Sequence, residues 1–145
     1  MFERYKDFFL KNFGIVPIFP KNTAEFNGSL IDTSDELANF KFRIEPMFKG
    51  VVLFKKLPFL SLLEINKNNV KNFVVLNEKS SFLFTCNRKL FSKGILKKKG
   101  KGPMFLVLNE KKEILGISYM SKAGFENKAN IGYYMKQDNL NDVMF

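Results

Sequence analysis

Residues 104–120, MFLVLNEKKEILGISYM, allow little latitude in local structure. Met104, Phe105, Leu106, Val107 and Leu108 form an unbroken apolar run of β-prone side chains. Asn109-Glu110-Lys111-Lys112-Glu113 is polar, and Ile114-Leu115-Gly116-Ile117 is apolar again. Two short apolar runs separated by turn residues predict a β-hairpin. The pentapeptide Val107-Leu108-Asn109-Glu110-Lys111 also occurs as Val75-Leu76-Asn77-Glu78-Lys79, followed by Phe82-Leu83-Phe84. A similar hairpin is therefore expected with arms at 73–76 and 82–84, the two flanking residues 85–103. Shared turn chemistry accounts for the repeat more simply than a gene-level duplication. On this pattern the second half of the chain is a compact β-domain.

The first half reads differently. Phe2, Tyr5, Phe8, Phe9 and Phe13 recur at a spacing that puts their rings on one face of a helix, and Gly14 stands at its stop. Glu3 and Asp7 dilute the positive face a membrane surface would want, so this helix is expected to dock on its own domain. Residues 15–20, IVPIFP, are extended because Pro17 and Pro20 oppose helix, and could form an edge strand. Asn27-Gly28 is a turn signal. Thr33-Ser34-Asp35-Glu36 has the form of a capping box, opening a short helix through Leu37, Ala38 and Phe40. Residues 50–54 and 57–60 read as two strands or one broken strand, and 62–70 as a short helix or a linker. The polar run Asn66-Lys67-Asn68-Asn69 marks a domain boundary near residue 70.

Beyond the first expected hairpin, residues 87–95 hold one helical turn at most before Gly94 reverses the chain. Lys97-Lys98-Lys99-Gly100-Lys101-Gly102-Pro103 reads as a flexible basic loop. Residues 121–130 read as a polar loop, 131–135 as a last strand and 139–142 as a short terminal helix. Phe125, within that polar loop, is expected to pin the loop to the core.

Charge narrows the function. The 145 residues carry 24 Lys and Arg against 14 Asp and Glu, a net charge of +10, with lysine dominant. That balance favours a polyanionic partner, nucleic acid ahead of an anionic membrane surface. The apolar content is 46% with 18 Phe, so the rings can supply most of a core. No apolar stretch approaches the roughly 18 residues of a membrane span. The N-terminal residues, with acids among them and no small-residue cleavage site, are not expected to act as a signal peptide. The single cysteine, Cys86, permits no intramolecular disulfide and fits a reducing compartment; it is expected to be a small buried filler.

Catalysis finds little support. There is no histidine, which removes the commonest base and any histidine-activated thiolate. The carboxylates are scattered, and no glycine pattern matches a phosphate loop. No enzyme activity, cofactor or metal site is expected. What remains is a basic surface. The candidate RNA-binding residues are Lys122, Lys128, Lys136, Lys97, Lys98, Lys99, Lys101, Arg88 and Lys93, with Lys89 beside them. Lysines contact phosphates as point charges, giving affinity without reading sequence. Tyr133 and Tyr134 would alternate on the last strand, and the outward ring could stack on a base.

The order of parts also resembles a known family. Ser81-Phe82-Leu83-Phe84, then Asn87, Leu90, Ser92 and Gly94, is similar to the stretch that opens the PUA domain in the Nip-seven-like ribosome-biogenesis factors, allowing one inserted residue. Leu115-Gly116-Ile117 followed by Ser121-Lys122 resembles the family's Leu-Gly and Lys-Ser region. Residues 137–142 resemble its terminal helix. Phe48-Lys49-Gly50 and residues 30–37 stand where the family has strand and helix elements in its first half. The chain departs from the family in ending Val143-Met144-Phe145 without basic residues, and in having Asn141 where a glycine is usual.

The resemblance implies an α+β architecture: an N-terminal α+β domain, residues 1–70, followed by a PUA-type β pseudo-barrel, residues 71–145. It implies non-catalytic binding of precursor ribosomal RNA in large-subunit assembly, with Lys122, Lys128 and Lys136 at the RNA. Pre-ribosomal proteins would be partners of the N-terminal domain, and the chain a monomer that engages no membrane. Localisation would be cytoplasmic in a prokaryote and nucleolar in a eukaryote. Two other readings stay open: the RNA-recognition subunit of an RNA-modifying enzyme, and a protein-interaction adaptor whose charge serves solubility.

Overall fold

The computed structural model describes residues 2–33, 51–90, 92–122 and 124–131. Helix α1, Glu3–Phe13, forms as the aromatic spacing requires. Tyr5, Phe9 and Phe13, four apart, are buried, with Phe2 and Phe8 packed at their margins. Gly14 ends the helix in a left-handed conformation, its N–H donating to the Leu10 carbonyl at 3.1 Å. Residues 15–20 are extended, as Pro17 and Pro20 dictate, but join neither sheet.

Asn27-Gly28 makes the expected turn between β1, Thr23–Phe26, and β2, Ser29–Asp32. Both turn residues have positive φ, 48° and 75°, the handedness that suits the twist of a two-residue hairpin. The Arg4 guanidinium and the Tyr5 hydroxyl donate to the Gly28 carbonyl at 3.1 and 3.3 Å, tying this turn to α1. Strand β3, Val51–Phe54, completes an antiparallel sheet in the order β1-β2-β3. The capping box and the short helix expected after it lie outside the described residues, apart from Thr33.

Residues 57–60 are not a strand. Pro58 makes one isolated bridge to Phe54, the Phe59 N–H donates to the Leu53 carbonyl at 2.8 Å, and Leu60 opens helix α2, Leu60–Asn66. The chain has doubled back on β3, and the Ser61 hydroxyl fixes that return on the Val52 carbonyl at 3.0 Å.

The second sheet has five strands: β4, Phe73–Leu76; β5, Ile95–Lys99; β6, Met104–Leu108; β7, Ile114–Ser121; and β8, Gly124–Asn130. Their order is β5-β4-β6-β7-β8, with β4 and β6 parallel and the other pairs antiparallel. The hairpin read from residues 104–117 is β6 and β7, closed by Asn109, whose side-chain oxygen accepts from the Glu113 N–H at 2.9 Å. The hairpin expected at 73–84 does not form. Asn77 instead caps helix α3, Glu78–Thr85, accepting from the Ser80 N–H at 2.8 Å. Both flanks of β4 are occupied, by β5 and β6, so no position is left for an immediate return strand. A parallel neighbour also needs a crossover, which α3 begins.

Two further expectations change. Lys97, Lys98 and Lys99 lie on β5 rather than in a flexible loop, and residues 124–130 are strand β8 rather than a polar loop. Both are edge strands, held mainly by backbone hydrogen bonds to one neighbour, and charged edges discourage further pairing. Residues 132–145, with Tyr133, Tyr134, Lys136, the terminal helix and all of the expected last strand but Ile131, lie outside the described residues.

The central strands are apolar on both faces, as strands covered on two sides must be. Val75, Met104, Leu106, Leu108 and Ile117 join α1, β2, β3 and α2 in one cluster. Val74, Leu76, Phe105, Val107 and Leu115 pack with Phe84 of α3 and Leu90 in a second. The chain stays in the core while passing between its two sheets: Asn66, Val70 and Asn72 are all buried.

Candidate nucleic-acid interface

Basic side chains gather at the C-terminal end of α3. Ser81 and Phe84 point the helix inward, which leaves Cys86 exposed at its cap rather than buried as a filler. The chain then passes through Asn87, at a positive φ of 66°, to Arg88 and Lys89, both exposed. A groove of about 500 Å³ is lined by Leu83, Asn87, Arg88 and Lys89.

Strand β8 holds this segment in place. The Asn127 side-chain amide donates to the carbonyls of Phe84 and Arg88, at 2.8 and 3.0 Å. The Asn130 amide donates to the Asn87 side-chain oxygen at 3.2 Å. Between these two asparagines the pairing with β7 slips: Ser118 faces Asn127 and Ile117 faces Ala129. Lys128 is thus the extra residue of a β-bulge, a feature that re-aims a side chain away from the ladder. It is exposed, on the same stretch of β8 that carries the contacts to Phe84, Asn87 and Arg88. Opposite Asn130 stands Gly116, where a side chain would not fit: a Cβ there would lie 2.8 Å from the Asn130 Cα.

The other predicted basic residues fall elsewhere. Lys97, Lys98 and Lys99 follow one another along the β5 edge, Lys93 precedes them on the turn Ser92–Gly94, and Lys101 stands in the β5–β6 loop; all five are exposed. Two of them are already engaged. The Lys98 ammonium lies 5.5 Å from the Phe105 ring centre and 5.3 Å from that of Phe125, and Lys97 lies 5.8 Å from that of Phe73. Phe105 and Phe125 themselves meet edge to face at 5.2 Å. Phe125 therefore does pin its segment to the core. Lys98 belongs to β5 and Phe125 to β8, so side chains from the two outermost strands of the sheet order meet over Phe105 of the central strand. Lys122 sits in the β7–β8 turn, is exposed, and does not line the Arg88 groove.

The charged residues of α3 itself, Glu78 and Lys79, both lie in its first turn. At its N-terminal end a cavity of about 320 Å³ is lined by Glu78, Ser81, Asn109, Glu110, Lys111 and Glu113. Glu78, in the first turn, suits the positive end of the helix dipole and so serves stability. Among the described residues no three His, Cys, Asp or Glu side chains come together to hold a metal ion, and no helix is long and apolar enough to cross a membrane.

A five-stranded sheet with a capped helix on one face and a helix-and-hairpin unit on the other has a counterpart among solved structures. The crystal structure of a PUA domain, APE0525, from Aeropyrum pernix K1, determined as a tartrate complex, superposes with a TM-score of 0.56. The match covers 93% of this chain and 86% of that one, at 16% sequence identity. The chain has a PUA-like fold. No family model matches the sequence, and no curated protein matches it either. Within this PUA-like fold the sequence had singled out Arg88 and Lys128 separately, and the structure brings their backbones together. It had left out Asn127, whose role depends on two remote carbonyls and has no local signature.

Proposed function

We propose that this protein is a non-catalytic RNA-binding factor whose RNA contact centres on Arg88, Lys89 and Lys128. The observation that carries this is the groove at the end of α3, where Asn127 fixes Arg88 and Lys89 beside the bulged Lys128 on a PUA-like fold. Exposed cations held on a rigid scaffold can take phosphates without the entropic cost of ordering a loop. Single-stranded or junction regions are the favoured target, since A-form duplex hides its base edges. The resemblance of residues 81–94 and 115–122 to Nip-seven-like factors supports precursor ribosomal RNA of the large subunit as the natural RNA. It also supports an N-terminal unit, residues 1–70, that meets pre-ribosomal proteins.

The test is a fluorescence-polarisation titration with uridine-rich single-stranded RNA, a matched duplex and transfer RNA, at several salt concentrations. Single strands are expected to bind best, with log affinity falling by roughly 0.7 per log unit of salt for each phosphate neutralised. Arg88→Glu/Lys128→Glu is expected to weaken binding by more than tenfold. Preference for transfer RNA would favour the RNA-recognition subunit of a modifying enzyme. No binding at low salt would refute the proposal and leave the charge as a solvated surface.

A further inference from the structure

Three segments that each carry lysine meet at one buried residue outside the groove. Asn72 is buried, and its side-chain amide donates to the Asn12 carbonyl at 3.4 Å, at the end of α1. From the other side the β5–β6 loop closes on it: a Cβ on Gly100 would lie 2.7 Å from the Asn72 Cα, an approach that only glycine permits. Each of these three segments carries lysine beside the junction. Lys11 precedes Asn12, Lys71 precedes Asn72, and Lys99 and Lys101 flank Gly100.

All four are exposed, and no ion pair joins any of them to an acid among the described residues. Asp7 stands one turn before Lys11 on α1 without pairing to it. Lys99 is the register partner of Phe73, so it lies on the face of the sheet that packs toward α1. Gathering four unpaired cations raises the folded state's self-repulsion, and an anionic partner relieves it. The Asn72–Asn12 hydrogen bond and the close approach of Gly100 to Asn72 hold the three backbones together, so the lysines start from fixed points rather than from separate flexible arms.

We infer that this junction is a second phosphate-binding surface, used with the Arg88 groove by RNA long enough to reach both. The inference rests on the RNA-binding reading above. It adds a contact that includes the first helix, in the half of the chain where neither charge pattern nor resemblance placed one.

The test compares wild type, Lys11→Ala/Lys71→Ala/Lys101→Ala, and a charge-matched control, Lys21→Ala/Lys56→Ala/Lys111→Ala, each titrated with a long and a short uridine-rich strand across a salt series. For the long strand, the junction variant is expected to lose about 2 units of the log–log salt slope, at roughly 0.7 per contact, and the control to lose none. The short strand, occupying the groove alone, should bind all three proteins alike. If wild type binds and the junction variant matches the control on the long strand, the second surface is refuted while the RNA reading stands. If wild type binds no RNA, both fall.

Discussion

Replacing Asn66 tests whether a polar side chain with no solvent exposure is part of the fold's framework. Its oxygen accepts from the Ile18 N–H at 2.7 Å, and its amide donates to the carbonyls of Ile18 and Leu62, each at 3.0 Å. One side chain thus satisfies both backbone groups of Ile18 and anchors the extended segment 15–20 against α2. Asn66→Ala deletes three hydrogen bonds. At a net worth of roughly 1 kcal/mol each, the loss is about 2–4 kcal/mol, since Ile18 is partly exposed and water can recover some of it. For a chain of this size, each kcal/mol lowers the melting temperature by roughly 2–4 °C. Asn66→Asp separates the roles of the two ends. A protonated carboxyl can still donate to one carbonyl, whereas a carboxylate faces two carbonyl oxygens with nothing to donate. Its folded-state pKa is therefore raised above the unfolded value of about 3.9. Stability is retained below that unfolded value and lost as pH rises through the folded one. Thermal melts by circular dichroism across acid to neutral pH, each variant referenced to wild type, give the readout. An Asn66→Ala melt within 0.5 kcal/mol of wild type, or an Asn66→Asp deficit that does not grow with pH, would refute the reasoning.

Two other outcomes follow from single positions. Gly100→Ala, at φ 90° and against the Asn72 backbone, should destabilise by roughly 1–3 kcal/mol in a denaturant titration, while alanine at Gly14, where the structure leaves open space, should cost less. Tyr5 is buried, and removal of its phenol from water pushes its pKa above the ordinary value of 10.0. An acid with a raised folded-state pKa stabilises the fold until pH passes the unfolded value, so stability should fall in the alkaline range above it. Ultraviolet difference titration should show one late-ionising tyrosine, absent in Tyr5→Phe; an unchanged titration in that variant would refute the assignment.

Elements that depend on nearest neighbours were legible in the chain. The period of Tyr5, Phe9 and Phe13, the Asn27-Gly28 turn and the apolar run of residues 104–108 each specify their structure within a few residues. Basic character at Arg88, Lys128 and the 97–101 stretch was equally plain. Tertiary structure decided what the same letters do in different surroundings. Val-Leu-Asn-Glu-Lys closes a hairpin at 107–111 because β7 has a free flank of β6 to pair with. It opens a helix at 75–79 because β5 and β6 already occupy both flanks of β4. Strands β5 and β8 escaped notice because their side chains are mostly polar or charged. Their order comes chiefly from the ladder groups of a neighbour supplied by a distant part of the chain. For the same reason Asn66 and Asn127 read in sequence as residues of a linker and a loop. A side-chain amide gives no sign in sequence of the carbonyls it will meet, and the two carbonyls that Asn127 binds lie 39 and 43 residues away.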